Sequence, residues 1–153
     1  MAKVRLITSD QLLWVQPTQD AQLSDEERDK LGEGERSTEY RIREAGGEDS
    51  PQLVEIRYLP DTEIQLHSHD EDEIMYILAG SMRLGERTIG AGTSLYIAGG
   101  TFYGFRAGAE GLHILNFRPR NDISFNLPRE KAISGMIIRP TGRASSATQP
   151  AAP

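Results

Sequence analysis

The stretch Leu66-His67-Ser68-His69-Asp70-Glu71-Asp72-Glu73, running on through Ile74-Met75-Tyr76-Ile77-Leu78-Ala79-Gly80, decides how the rest of the chain is read. On a strand, successive side chains alternate faces, so His67 and His69 point the same way, about 7 Å apart. Asp70 to Asp72 make a natural three-residue hairpin loop. Such a loop would set Glu73 across from His69 on the same face, with Cβ atoms ~5 Å apart. Two imidazoles and a carboxylate then converge, the geometry of a facial triad with open coordination positions. Asp70, Glu71 and Asp72 read as a solvated turn. The bland alternative is two histidines lying on the surface near acids, which is the commoner meaning of an isolated His-x-His.

The surrounding texture is that of short strands. Tyr40 and Ile42 alternate with arginines, and Val54, Ile56 and Tyr58 alternate again before Pro60. From Ile64 to Phe117 short apolar runs are cut by glycines at Gly80, Gly85, Gly90–Gly92, Gly99–Gly100 and Gly108–Gly111. Regularly spaced strands with turn signals indicate an all-β sandwich or barrel. Gly85-Glu86 suits a two-residue hairpin loop with glycine first, the type II′ preference. Upstream, Ser24 followed by Glu27 predicts a capping box opening a short helix from Ser24 to Leu31, with Gly32 to end it. Ile133 to Ile138 predicts one added strand. The chain thus divides into an N-terminal arm with a short helix (1–37), a barrel (38–140) and a small, polar, proline-bearing tail expected to be disordered (141–153).

Composition narrows the function classes. The chain has 153 residues, 37% hydrophobic and 26% charged, with a net charge of −6 and no cysteine. One domain of a soluble globular protein is expected. Thiolate zinc sites, disulfides and cysteine nucleophiles are ruled out together. The negative balance argues against a nucleic-acid partner, because phosphate contacts need a surplus of lysine and arginine on one face. No apolar run approaches the ~18 residues of a membrane span, so no membrane partner is expected. The opening MAKVRLITSD does not read as a secretory signal, and a cytoplasmic location is the default expectation. There is no phosphate loop, no Gly-x-Ser-x-Gly elbow, and no dinucleotide fingerprint, since Leu95 follows Gly90 and Gly92 where a third glycine belongs.

His67-x-His69, three residues, Glu73, six residues and Gly80 together resemble the first signature motif of the cupin family. Its opening glycine is replaced here by Asp61. The second motif is recognisable but altered: Gly92, then Ala98 where proline is usual, Gly100, Tyr103 where a third histidine is common, and Ala107 in place of asparagine. The resemblance covers Ile64 to Phe117. It implies a jelly-roll β-barrel with one divalent metal per chain near its mouth (Fe, Mn, Ni or Zn), held by His67, His69 and Glu73. It also implies frequent homodimers.

Other residues take their readings from this frame. Tyr103 either lines the wall and donates a hydrogen bond, or acts beside the metal as anionic ligand or general base; the expectation adopted is a catalytic residue that lines the pocket without ligating the metal. Gln65 shares the strand parity of His67 and His69, and is expected to hydrogen-bond a ligand in the pocket. His113 would approach Tyr103 if residues 107–111 form a hairpin loop, and is otherwise a core or surface histidine. Met75 and Ile77 fill the barrel, Arg57 is solvated, and Trp14 packs the arm against the barrel. Ile64, Leu66, Ile74, Tyr76 and Leu78 would form an apolar outer face, which points to a homodimer. The expected function is a metal-dependent enzyme with oxygenase-, lyase- or isomerase-type chemistry on a small organic molecule. The alternative is a non-catalytic barrel that binds a metal or small molecule.

Overall fold

Two long antiparallel strands organise the chain, and every other strand of the main sheet pairs with one of them or through one of them. The computed structural model describes residues 4–19 and 23–128, together with the backbone of 136–138 and 144–146. Its strands are β1 (Glu39–Glu44), β2 (Gln52–Tyr58), β3 (Glu63–His67), β4 (Glu73–Leu84), β5 (Arg87–Gly90), β6 (Ser94–Ile97), β7 (Tyr103–Arg118), β8 (Met136–Ile138) and β9 (Ala144–Ser146). The sheet runs β1-β2-β7-β4-β5, with β3 added to β7 and β6 added to β4. β7 reaches this many partners by length: its first residues pair with β3 and its last with β2, while β4 lies along it. The architecture is all-β, a jelly-roll barrel.

Alternation on β4 puts Glu73, Met75 and Ile77 inside and leaves Ile74, Tyr76 and Leu78 outside. Met75, Ile77, Met82 and Ile114 are fully buried and join Phe105, Ala107 and Leu112 in one apolar core. The strand must bend to follow the barrel, and it does so at Gly80. Register slips on either side of it, between Ile77 and Ala79 and between Gly80 and Met82. Gly80 has φ +74, and a Cβ there would stand 2.1 Å from the Gly111 carbonyl oxygen. Only glycine allows that approach. At the tip of β4 the chain turns through Gly85-Glu86, with Leu84 opposite Arg87 and positive φ at the glycine alone, as type II′ requires.

Three expectations about pairing are corrected. Residues 70–72 do not close a hairpin between β3 and β4; β3 pairs with β7, with His67 opposite Tyr103, while Glu73 lies opposite Ile97 of β6. Residues 107–111 form no hairpin loop either, because they lie within the single strand β7. Alternation also fails on β3. The partners of Ile64 and His67, Phe105 and Tyr103, are two steps apart on β7, but three steps separate Ile64 from His67 itself, so one residue is bulged. Ile64 and His67 are therefore both buried, Leu66 is exposed, and Gln65 turns away from the interior.

The arm contains α1 (Asp25–Asp29) and α2 (Glu33–Ser37). The capping box forms, with the Glu27 amide donating to Ser24 Oγ at 3.2 Å and the Ser24 amide to Glu27 Oε2 at 2.7 Å. The predicted helix is interrupted earlier than Gly32, which instead caps the start of α2. The guanidinium groups of Arg41 and Arg57 both lie over the Trp14 ring, 4.4 and 4.1 Å from its centroid, and Val15 bridges to Tyr40. Of the expected added strand, Met136–Ile138 form β8; within the expected tail, Ala144–Ser146 form β9 against it. The remaining positions of 129–153 lie outside the described residues. Among the described residues no helix is long and apolar enough to cross a membrane.

Candidate metal and ligand site

His67 comes from the end of β3, His69 from the turn that follows, Glu73 from the start of β4, and Tyr103 from the start of β7. The barrel brings all four together. The two imidazoles meet edge to face with centroids 5.0 Å apart, and the Tyr103 ring lies 4.5 Å from His67. His67 Nδ1 donates to the Gln65 carbonyl at 2.7 Å, and His69 Nδ1 donates to the Ser124 carbonyl. A carbonyl only accepts, so both Nδ1 atoms carry the proton and both Nε2 atoms present lone pairs. Burial, the largest cause, pushes both histidine pKa values down, so the rings stay neutral.

Glu73 is 1% exposed and its oxygens are engaged. The Tyr103 hydroxyl donates to Oε1 at 2.5 Å, Asn116 Nδ2 to Oε2 at 2.7 Å, and an Arg118 terminal nitrogen to Oε2 at 3.3 Å. Burial opposes ionisation, but the Arg118 charge with the Tyr103 and Asn116 donors outweighs it, and the carboxyl titrates below its ordinary range. Tyr103 moves the other way. Burial first, then the Glu73 charge, push the phenol well above its ordinary pKa, so it is a donor to Glu73 rather than a base. Arg118 also donates to the Asp122 carbonyl at 2.5 Å.

A segment beyond β7 closes this group from outside the barrel. Besides the Ser124 carbonyl, it stacks the Phe125 ring on His67 at 4.5 Å and 14°. It is tied to the turn after β3 by the Asp70 amide on Ser124 Oγ, the Glu71 amide on Asp122, and paired backbone bonds between Ser68 and Asn126. Asn116, Arg118, Ser124 and Phe125 were not anticipated from the sequence. Asn116 and Arg118 had a signal: they extend the alternation of Leu112 and Ile114, so they share the interior face of β7.

The imidazoles, Tyr103, Asn116 and Arg118 line a cavity of about 250 Å³, whose other walls are mostly apolar. Gln65 is not among its lining residues, which corrects the expectation that it meets a ligand beside the histidines. The bulge on β3 turns it toward the arm, where its amide donates to Glu35 Oε1 at 2.8 Å and its side chain to the Lys30 carbonyl at 3.3 Å. His113 is on the opposite face of β7, with Nε2 2.7 Å from Glu55 Oε1 and its ring against Trp14. Arg57 is exposed and pairs with Glu39 at 2.5 Å.

The donor chemistry suits a divalent ion at the imidazoles: neutral rings, tautomers fixed by carbonyl acceptors, and an ionised carboxylate nearby. Among the described residues, however, no three His, Cys, Asp or Glu side chains stand close enough together to hold an ion as they are placed. Glu73 would have to give up a hydrogen bond to serve as the third donor.

No protein-family model matches the chain, and no curated protein sequence matches it. Solved structures do. An RmlC-like cupin protein from Ralstonia eutropha superposes with a TM-score of 0.65 at 13% identity, over 92% of this chain and 82% of that one. The fold is that of a cupin. Within the cupin fold, the polyketide cyclase RemF from Streptomyces resistomycificus is 26% identical with a TM-score of 0.50, over 59% of this chain and 70% of its own. A variant of Bacillus subtilis oxalate decarboxylase is 23% identical with a TM-score of 0.50; the match covers 60% of this chain and 26% of that longer one. Cupin barrels similar to this one therefore include enzymes.

Proposed function

We propose that this cupin-fold protein is a metal-dependent enzyme acting on a small organic molecule bound in the cavity beside His67 and His69. The observation that carries the reading is the pair of imidazoles, each with Nδ1 fixed on a backbone carbonyl and Nε2 left as a lone pair in the cavity wall. Two such rings beside the buried, ionised Glu73 make a donor set with neutral nitrogens and one anionic oxygen. His67, His69 and Glu73 would hold the ion, and a bound divalent ion would supply Lewis acidity toward a substrate oxygen. The chain's own groups orient this set. Ser124 and Phe125 fix the rings, Tyr103 and Asn116 aim the carboxylate, and Arg118 balances its charge. Tyr103 is thereby a positioning residue acting through Glu73. The likeness to a polyketide cyclase supports catalysis over mere binding.

The test is metal analysis of untagged protein after loading with Fe(II), Mn(II), Ni(II) or Zn(II) and removal of excess. About one ion per chain is expected, and a His67→Ala/His69→Ala double variant should hold none. Oxygen uptake and product formation on diketones and catechols then test catalysis. A wild type that keeps no metal would defeat the reading. The second reading, a metal-free barrel that binds a small molecule without turning it over, is favoured by the three hydrogen bonds that Glu73 already accepts.

A further inference from the structure

We infer that the cavity takes a flat, conjugated hydroxy compound, with the Tyr58 hydroxyl as a hydrogen-bond donor facing it; this rests on the cavity being the functional site. The charged groups in its lining are already committed. Arg118 donates to Asp122 and Glu73, Glu35 accepts from the Gln65 amide, and Asp122 accepts from the Glu71 and Ser124 amides. Arg118 is the one cation among the described lining residues; its Nε is unpartnered but buried, and its charge already faces Glu73, so it does not stand free to meet a small dianion. What remains is aromatic and apolar. Tyr58, Tyr103, Phe105 and Phe125 all face the cavity, beside Ile56, Ile64 and Met75. Tyr103 and Phe105 lie nearly parallel, at 10°, and Tyr58 meets Phe105 edge-on at 5.2 Å.

Walls of this kind prefer a π-system to a saturated ring of the same size, since ring pairs gain beyond their buried area. Among the described lining residues, Gln52 Oε1, Asn116 Oδ1 and Arg118 Nε are buried without a partner, and two further kinds of polar group make no hydrogen bond to protein. One is the Tyr58 hydroxyl, held by the edge-on contact with Phe105; the other is imidazole Nε2. A hydroxyl on the ligand answers both, accepting from Tyr58 or donating to an imidazole. At about 250 Å³ the cavity has room for a molecule of two fused rings but not for a long chain.

Calorimetry on chelator-treated protein tests this without metal, with 2-naphthol, decahydro-2-naphthol and oxalate as probes. 2-Naphthol should bind about 2- to 10-fold more tightly than its saturated counterpart, and oxalate more weakly than either. Tyr58→Phe should weaken 2-naphthol about 2- to 10-fold, the loss of one neutral hydrogen bond. Phe125→Leu, which keeps the apolar volume, should narrow the gap between the two alcohols. Equal affinity for the two alcohols, tighter binding of oxalate, or no binding of any probe would overturn the inference. The wild-type comparison decides the ligand class even if Tyr58→Phe does not fold. Metal-free protein that takes 2-naphthol but never retains an ion would sustain this inference and defeat the metal reading. One ion per chain without naphthol binding would do the reverse.

Discussion

The Tyr103 hydroxyl donates to Glu73 Oε1 at 2.5 Å, and both side chains are buried. Tyr103 occupies the position where the cupin motif commonly has a third histidine, and this bond commits it to the carboxylate. Tyr103→Phe removes one donor from a buried carboxylate that keeps Asn116 and Arg118. The variant should fold and retain whatever metal the loaded wild type retains, with unfolding free energy lowered by about 1.5–3 kcal/mol, the range for hydrogen bonds to charged groups. Urea denaturation with parallel metal analysis reads both. Metal lost together with the hydroxyl would make Tyr103 a ligand.

Glu55 carries the clearest acid dependence. It is buried on the outer side of β2 and accepts from Arg41 at 2.9 Å, Arg43 at 2.6 Å and His113 at 2.7 Å. Burial alone would raise its pKa, but these donors lower it from 4.5 to about 2. A depressed folded pKa stabilises the fold above the unfolded value, and that contribution fades as pH falls from about 4.5 toward 2. The displacement bounds it at about 3 kcal/mol. Wild type should exceed Glu55→Gln in stability at pH 7, with the gap closing through that acid window. A gap independent of pH would mean that the charge of Glu55 contributes nothing.

Two glycines with positive φ should respond differently to the same substitution. Gly85 has φ +58 and open space around an added Cβ, so Gly85→Ala should cost only the strain of a sparsely populated backbone region, about 1–3 kcal/mol. At Gly80 the same methyl meets the Gly111 carbonyl at 2.1 Å, and backbone has to move. Gly80→Ala should cost more than about 3 kcal/mol or prevent folding. Thermal unfolding of the pair measures the difference, and equal costs would refute the close approach.

The outer face of β4 predicts self-association. Ile74, Tyr76 and Leu78 are 40–44% exposed, and Tyr96 and Phe117 beside Ile74 are 65% and 40% exposed. The arm covers a different face, since Val15 and Trp14 meet β1 and β2. Light scattering at micromolar concentration should give the mass of two chains, and Tyr76→Glu should halve it. A wild-type mass of one chain would show that the patch is tolerated or covered within the chain.

The sequence made the inward set of β4 legible because alternation is local: Glu73, Met75 and Ile77 follow from parity alone. The barrel class was legible from strand spacing and glycine turns. What was not legible depends on partners distant in sequence. A short acidic turn after His69 looks like a hairpin until a longer strand competes for the same edge, and β7 wins β3. The bulge between Ile64 and His67 moved Ile64 inward and Gln65 outward, and nothing in Ile-Gln-Leu-His marks it. The acceptor for His69 is the carbonyl of Ser124, a backbone atom to which no side chain points in the sequence.

That carbonyl also sets a schedule for synthesis. β3 has no strand partner until the residues from Tyr103 onward exist, and His69 lacks its acceptor until Ser124, 55 residues later, is made. A nascent chain that has emerged only through β6 carries His69 without the acceptor that fixes its proton, and His67 without the Tyr103 and Phe125 rings that pack on it. Pairings this distant in sequence form late, after the local hairpin of β4 and β5. The site is therefore completed only after residues 124–126 are made, and a chain stalled before them lacks the Ser124 acceptor and the Phe125 ring that hold the two imidazoles.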